Sequence, residues 1–95
     1  MDLKQTVDKE QLVKNGVYQL YYRKSNKEGY RKMEQAVFCH IGQTGMPIFH
    51  PLDESSFQDV FGLENYEINW VAIFVRDSDK NDLGYFKCDE QITKI

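Results

Sequence analysis

The sequence predicts a mainly β domain: a small five-stranded antiparallel meander, folded as an SH3-like barrel or a strongly bent sheet, with one short helix around residues 55–61. Three observations predict it. The apolar side chains are largely aromatic or β-branched, with six Tyr, six Phe and one Trp beside the Val and Ile, and such residues suit a pleated, half-buried surface better than a helix. Turn residues such as Asn15-Gly16, Ser25-Asn26 and Thr44-Gly45 punctuate the apolar stretches at short intervals. At 95 residues the chain is long enough for one core and too short for two, so residues 1–95 are read as a single domain.

Taken in order, Asp8-Lys9-Glu10-Gln11-Leu12-Val13-Lys14 has the spacing of a short helix, with Asp8 as N-cap and Gln11 reaching back to it. Asn15-Gly16 would end it, so residues 1–15 are expected as a short helix or a partly ordered arm. Val17 to Lys24 and Tyr30 to Ile41 read as two strands joined by Ser25-Asn26-Lys27-Glu28-Gly29, a loop with hairpin chemistry. Met46 to Leu52 follows as a third strand after the Thr44-Gly45 turn. Ser55 and Gln58 have capping-box spacing, Phe57, Val60 and Phe61 share a helical face, and Gly62 is placed to stop that helix. Glu67 to Arg76 is the most strand-like segment, because Trp70-Val71-Ala72-Ile73-Phe74-Val75 is apolar on both faces, which predicts a central position. The polar run from Asp77 to Asp82 then turns the chain into a last strand, Leu83 to Ile92.

Charge is unevenly spread over these elements. The formal net is −3, yet Arg23, Lys24, Lys27, Arg31 and Lys32 stand against Glu28 alone, while from Asp53 onward ten acids face four cations. Such asymmetry bears on partners and encounter rates, not on chemistry. The start of the chain has neither the basic nor the apolar region of a signal peptide, and its longest apolar run, Trp70 to Val75, is far too short to span a membrane, so a cytoplasmic protein is expected. Cys39 and Cys88 are too sparse for a secreted disulfide framework and are expected as reduced, buried thiols.

The basic hairpin is the first candidate site. With Ser25 opposite Tyr30, Tyr22 would face Met33 and Tyr18 would face Val37, giving a core face of Tyr18, Leu20, Tyr22, Met33 and Val37. Tyr21, Arg23, Lys32 and Glu34 would share the other face, with Tyr30 at the tip. The residues expected to bind a partner are therefore Tyr21, Arg23, Lys24, Lys27, Tyr30, Arg31 and Lys32. Arginine, lysine and tyrosine side by side make a cationic surface with aromatic anchors, which an acidic groove on a protein partner would fit. The same mixture serves single-stranded nucleic acid, where phosphates take the charge and bases stack on rings, although a pI near 5.3 is not the footprint of such a binder. A solvated hairpin tip whose cations keep an edge from aggregating is the plain structural explanation.

The acidic half supports an opposite reading, a nucleic-acid mimic that offers Asp53, Glu54, Asp59, Glu64 and Glu67 as phosphate substitutes to a basic channel. Metal chemistry is less favoured. A two-residue Thr44-Gly45 turn would set Cys39 against His50 and His40 against Phe49, but neither Cys88 nor any other residue completes a zinc spacing, and no orienting group completes a Cys–His enzyme. Asp77-Ser78-Asp79-Lys80-Asn81-Asp82 begins like a calcium loop and lacks the Gly and Glu that such a loop needs at its sixth and twelfth positions. Gly42-Gln43-Thr44-Gly45 has the spacing of an RNA-clamping loop in a hairpin context that does not suit it. No catalytic residue, metal or cofactor is expected.

The general layout, a Gly16-Val17-Tyr18 strand opening and a late strand bearing Trp70, is similar to that of compact accessory proteins of phages and mobile elements. That resemblance implies an inhibitor or accessory role. The function expected from the sequence is thus stoichiometric protein binding without catalysis, with nucleic-acid binding and nucleic-acid mimicry as the alternatives.

Overall fold

Alternating and branched side chains along five segments build a single antiparallel sheet in the computed structural model, which describes residues 3–52 and 60–79. Its strands are β1 Gly16–Tyr22, β2 Arg31–Ile41, β3 Pro47–Pro51, β4 Phe61–Gly62 and β5 Trp70–Asp77, in the spatial order β4-β3-β2-β1-β5. β1, β2 and β3 follow one another as the expected meander, β4 adds an antiparallel neighbour to β3, and β5, expected to continue the meander, crosses back to pair with the free side of β1. Among the described residues β4 and β5 lie at opposite ends and do not pair, so the sheet is open and the barrel alternative does not apply.

Two expectations about the strands are corrected. The segment from Trp70 is an end strand of the described sheet, not a central one, and Phe74 and Val75 are exposed. Its outer side is instead met by the N-terminal arm, through a Thr6–Ile73 bridge and a Val7 N–H to Ala72 carbonyl bond of 3.1 Å. Residues 67–69 belong to a turn rather than to this strand. Phe61 and Gly62, expected at the end of a helix, form β4, where Phe61 pairs with Phe49 and stacks on it at 6.3 Å. The rest of that helix, residues 55–59, and the last strand from Leu83 lie outside the described residues.

The hairpin register is also offset from the expected one. Val17 pairs with Val37, Tyr18 with Ala36 and Gln19 with Gln35, but beyond a bulge Tyr21 pairs with Lys32 and Tyr22 with Arg31. Met33 and Glu34 together therefore stand where one residue would face Leu20. The buried Gln19 side chain is the cause that can be named: its Nε2 donates to the carbonyls of Met33 at 2.6 Å and Leu20 at 3.2 Å, serving groups that the broken ladder would strand.

This register puts Ala36 and Phe38, not Met33 and Val37, on the core face. Tyr18, Leu20, Ala36, Phe38, Phe49, Leu63 and Ala72 form the main core, closed by Val7, Leu12, Phe61, Tyr66 and Trp70. Val17, Val37 and Cys39 form a smaller cluster on the opposite face, with Ile48 and Leu52 against it. A buried Leu or Phe of this kind contributes about 1.5–3 kcal/mol of transfer free energy.

The first fifteen residues contain two 3-10 turns, Leu3–Gln5 and Lys9–Gln11, in place of a two-turn helix. Gln11 does reach back, accepting the Asp8 N–H at 2.8 Å, but Leu12 leaves the helical region (φ −67°, ψ 133°) as it packs against the core. The arm is tied down by distant groups. Tyr66 donates to the Val7 carbonyl at 2.8 Å and the Lys9 N–H donates to Glu67 at 2.9 Å.

Candidate functional site: the β1–β2 hairpin and its base

The hairpin loop, residues 23–30, leaves the sheet between Tyr22 and Arg31, and the structure divides six of the seven residues expected to bind a partner into two groups. Arg23 and Tyr30 are half-buried and form a bracket. The Arg23 N–H donates to the Asn69 carbonyl at 2.9 Å, Arg23 Nε and the Tyr30 hydroxyl both donate to the Ile68 carbonyl at 2.9 and 2.8 Å, and the guanidinium carbon lies 4.5 Å from the centre of the Tyr30 ring. Asn69 Nδ2 returns two bonds, to the carbonyls of Arg23 at 3.0 Å and Lys24 at 3.1 Å. These two side chains therefore hold the loop to the turn before β5, and one face of the Tyr30 ring is already occupied.

Lys24, Lys27, Arg31 and Lys32 form the other group. All four are exposed, and none of their side chains makes a hydrogen bond or ion pair with a described residue. Tyr21 is half-buried with Lys32 opposite it across the strands, where the expected register would have set Glu34. Along β2, Arg31, Lys32, Met33, Glu34 and Gln35 are all exposed, so the cationic end of the hairpin stands clear of the core. With the loop held at its base and four cations unneutralised by described residues, this end of the hairpin can offer positive charge to an anionic group with little loop ordering to oppose binding.

Two recesses flank the turn before β5. One, of about 210 Å³, is lined by Tyr22, Lys24, Glu64, Asn65, Asn69 and Trp70, with the Tyr22 and Trp70 rings 4.8 Å apart and tilted by 49°. The other, of about 600 Å³, lies on the far side between Lys9, Thr44, Met46, Leu63 and Tyr66. Burial, more than any neighbouring charge, pushes the Tyr66 phenol well above its ordinary value, so it stays a neutral donor to Val7. Sequence reasoning missed this turn because it read Glu67 to Asn69 as strand. The signal present was Asn65 and Asn69 bracketing Tyr66-Glu67-Ile68, with Asn65 and Glu67 both at positive φ, 54° and 80°.

Of the residues expected to mimic phosphates, Asp53, Glu54 and Asp59 lie outside the described residues. Glu64 and Glu67 are exposed on the turn, and Glu67 sits within 4.8 Å of Asp8 and Glu10. This acidic group was not foreseen; its Glu67 already accepts the Lys9 N–H.

The cysteine and histidine expectations are corrected. His50 faces Val37, not Cys39, and His40 pairs with Ile48 instead of Phe49: the turn between Gly42 and Met46 holds three residues where two were expected, which shifts His40, and a bulge between Phe38 and His40 shifts His50 one residue further. His50 is buried with Nδ1 2.7 Å from the Pro51 carbonyl, which makes Nδ1 the donor. Cys39 is disulfide-bonded and not a reduced thiol, so it offers neither a nucleophile nor a metal ligand. Cys88, the other cysteine of the sequence, lies outside the described residues. Asp77 ends β5 and Ser78 donates its N–H to the Asn15 carbonyl at 2.8 Å, while Lys80, Asn81 and Asp82 are not described. Gly42 to Gly45 is the β2–β3 turn, closed by Gly42 N–H to Met46 carbonyl at 2.8 Å with Gly45 at φ 83°.

No protein-family profile, curated protein or solved structure matches the chain.

Proposed function

We propose that this chain is a non-catalytic protein-binding domain that acts by stoichiometric association, docking the cationic β1–β2 hairpin onto an acidic surface of a protein partner. The observation that carries the reading is the division of labour within the hairpin. Arg23 and Tyr30 are spent on holding it, and Lys24, Lys27, Arg31 and Lys32 are left exposed and unneutralised by described residues. An isolated surface cation contributes little to stability, so four of them on one braced projection have more to do with encounter and specificity. An inhibitor or accessory role of the phage or mobile-element kind fits such a domain. Single-stranded nucleic acid is the lesser reading, because Tyr30 has one ring face covered by Arg23 and offers a poor stacking platform.

No helix among the described residues is long and apolar enough to cross a membrane. The bridged Cys39 weighs against the cytoplasmic setting expected from the start of the chain and its short apolar runs, since reducing compartments keep thiols free. We read the bridge as favouring an oxidising setting.

Affinity capture from the native host lysate, treated with nuclease, tests the binding reading. The wild-type chain should retain one defined protein at near-equal stoichiometry, and the Arg31→Glu/Lys32→Glu variant should lose it. Capture unchanged by that double reversal sinks the hairpin as the docking surface, and recovery of nuclease-sensitive material alone transfers the assignment to nucleic acid.

A further inference from the structure

We infer that the small cleft at the base of the hairpin is a carboxylate receptor, taking one Asp or Glu side chain of the acidic partner between Lys24, Tyr22, Trp70 and Asn65. The inference rests on the reading of the hairpin as a docking surface and adds the anchor point.

Size is the first argument. The cleft holds about 210 Å³, below the roughly 300–1,000 Å³ of sites that enclose small-molecule ligands, and has room for a single inserted side chain.

Chemistry is the second. The Lys24 ammonium, the Tyr22 hydroxyl, the Trp70 indole N–H and the Asn65 amide are all donors, and none of these side chains hydrogen-bonds to a described residue. A carboxylate accepts several such bonds at once, and each is stronger than one between neutral groups. The sixth lining residue, Asn69, differs. Its amide is spent on the carbonyls of Arg23 and Lys24, which fixes the wall that carries Lys24. The site is therefore largely formed before the ligand arrives, and preorganisation is what converts a few polar contacts into affinity.

Glu64 also lines the cleft and opposes any anion. Its repulsion grows with ligand charge, so it penalises a phosphate monoester, which carries about −1.5 to −2 at neutral pH, more than a carboxylate. A nucleobase is disfavoured for a different reason: Tyr22 and Trp70 face one another at 4.8 Å and leave no gap for a third ring.

Trp70 is the only tryptophan of the sequence, so its fluorescence reports on this cleft without labelling. Fluorescently tagged poly-L-glutamate is the probe, with its anisotropy reporting total binding and Trp70 emission reporting the cleft; single-stranded oligothymidylate is run in parallel. Poly-L-glutamate should shift Trp70 emission. Its apparent Kd should rise about tenfold in Lys24→Gln and about three- to tenfold in Tyr22→Phe and Asn65→Ala. Binding by anisotropy with unchanged Trp70 emission, and with the same Kd in Tyr22→Phe and Asn65→Ala, overturns the receptor while leaving the hairpin surface standing. No binding of poly-L-glutamate to the wild-type chain at low salt overturns both. An emission change with oligothymidylate and none with poly-L-glutamate overturns the carboxylate assignment in favour of nucleic acid.

Discussion

Glu67 shows how a single residue can be held in a conformation it disfavours. Its φ of 80° belongs to the region where glycine is at ease and where other residues pay about 1–3 kcal/mol. Three bonds over-determine it: its N–H to the Trp70 carbonyl at 2.8 Å, its carboxylate to the Lys9 N–H, and the neighbouring Tyr66 hydroxyl to the Val7 carbonyl. Backbone strain and side-chain anchoring can be separated by substitution. Glu67→Ala loses the acceptor and keeps the strain, whereas Glu67→Gly loses the acceptor and relieves it, so Glu67→Gly should be the more stable of the two by about 1 kcal/mol in urea unfolding. Equal midpoints would show that the turn carries no strain. Asn15-Gly16 and Thr44-Gly45 were legible as turns because their residue types advertise the left-handed region; Glu67 was not, because the preference it violates is the one used to read turns.

Among the elements, the β1–β2 hairpin was foreseen in existence and extent but misread in register, and the reason is local to one side chain. A bulge changes which face every later residue occupies, and this one depends on Gln19 reaching across to the Met33 carbonyl. Alternation within β2 carries no mark of a glutamine on another strand. Gln19→Ala should therefore cost about 1–3 kcal/mol, the range for leaving a buried polar group unsatisfied, and should weaken hydrogen-exchange protection around Met33 and Glu34 first. Loss of stability below about 0.5 kcal/mol would mean that water serves those carbonyls equally well. The site was half legible for a related reason: composition marked the cations, but only the fold shows that Arg23 and Tyr30 are spent on the Ile68 carbonyl and that Asn65 and Trp70 line the same cleft as Lys24. Likewise, the apolar run from Trp70 spoke for burial on two sides, and the arm at Thr6 and Val7 meets the outer side of the strand in place of a neighbouring strand.

At the scale of the whole molecule, one buried and one half-buried phenol give the fold an alkaline limit. Burial foremost raises both Tyr18 and Tyr66 above the ordinary value of 10.0. Above that pH the unfolded chain ionises these groups while the folded chain still holds their protons, so the unfolded state binds fewer protons and stability falls as pH rises. Each such phenol steepens the fall by at most about 1.4 kcal/mol per pH unit. Tyr66→Phe should accordingly be less stable than the wild type at pH 8, having lost the bond to Val7, and should lose less between pH 10 and 11.5; parallel declines in thermal midpoint would exclude Tyr66 as a source.

The position of β1 between β2 and β5 also sets a timetable for synthesis. Tyr18 takes one neighbour from Ala36 and the other from Phe74, and at about 5–20 residues per second the second arrives several seconds after the first. A hairpin closes in about 1–10 μs, so on the ribosome β1 and β2 can be zipped together while the far side of β1 waits bare. Throughout that interval the open edge of β1 is the place where a neighbouring copy could add, and the nearest charges that discourage it are those of the adjoining loop, Lys24 and Lys27, until Trp70 and the residues after it emerge to claim the edge.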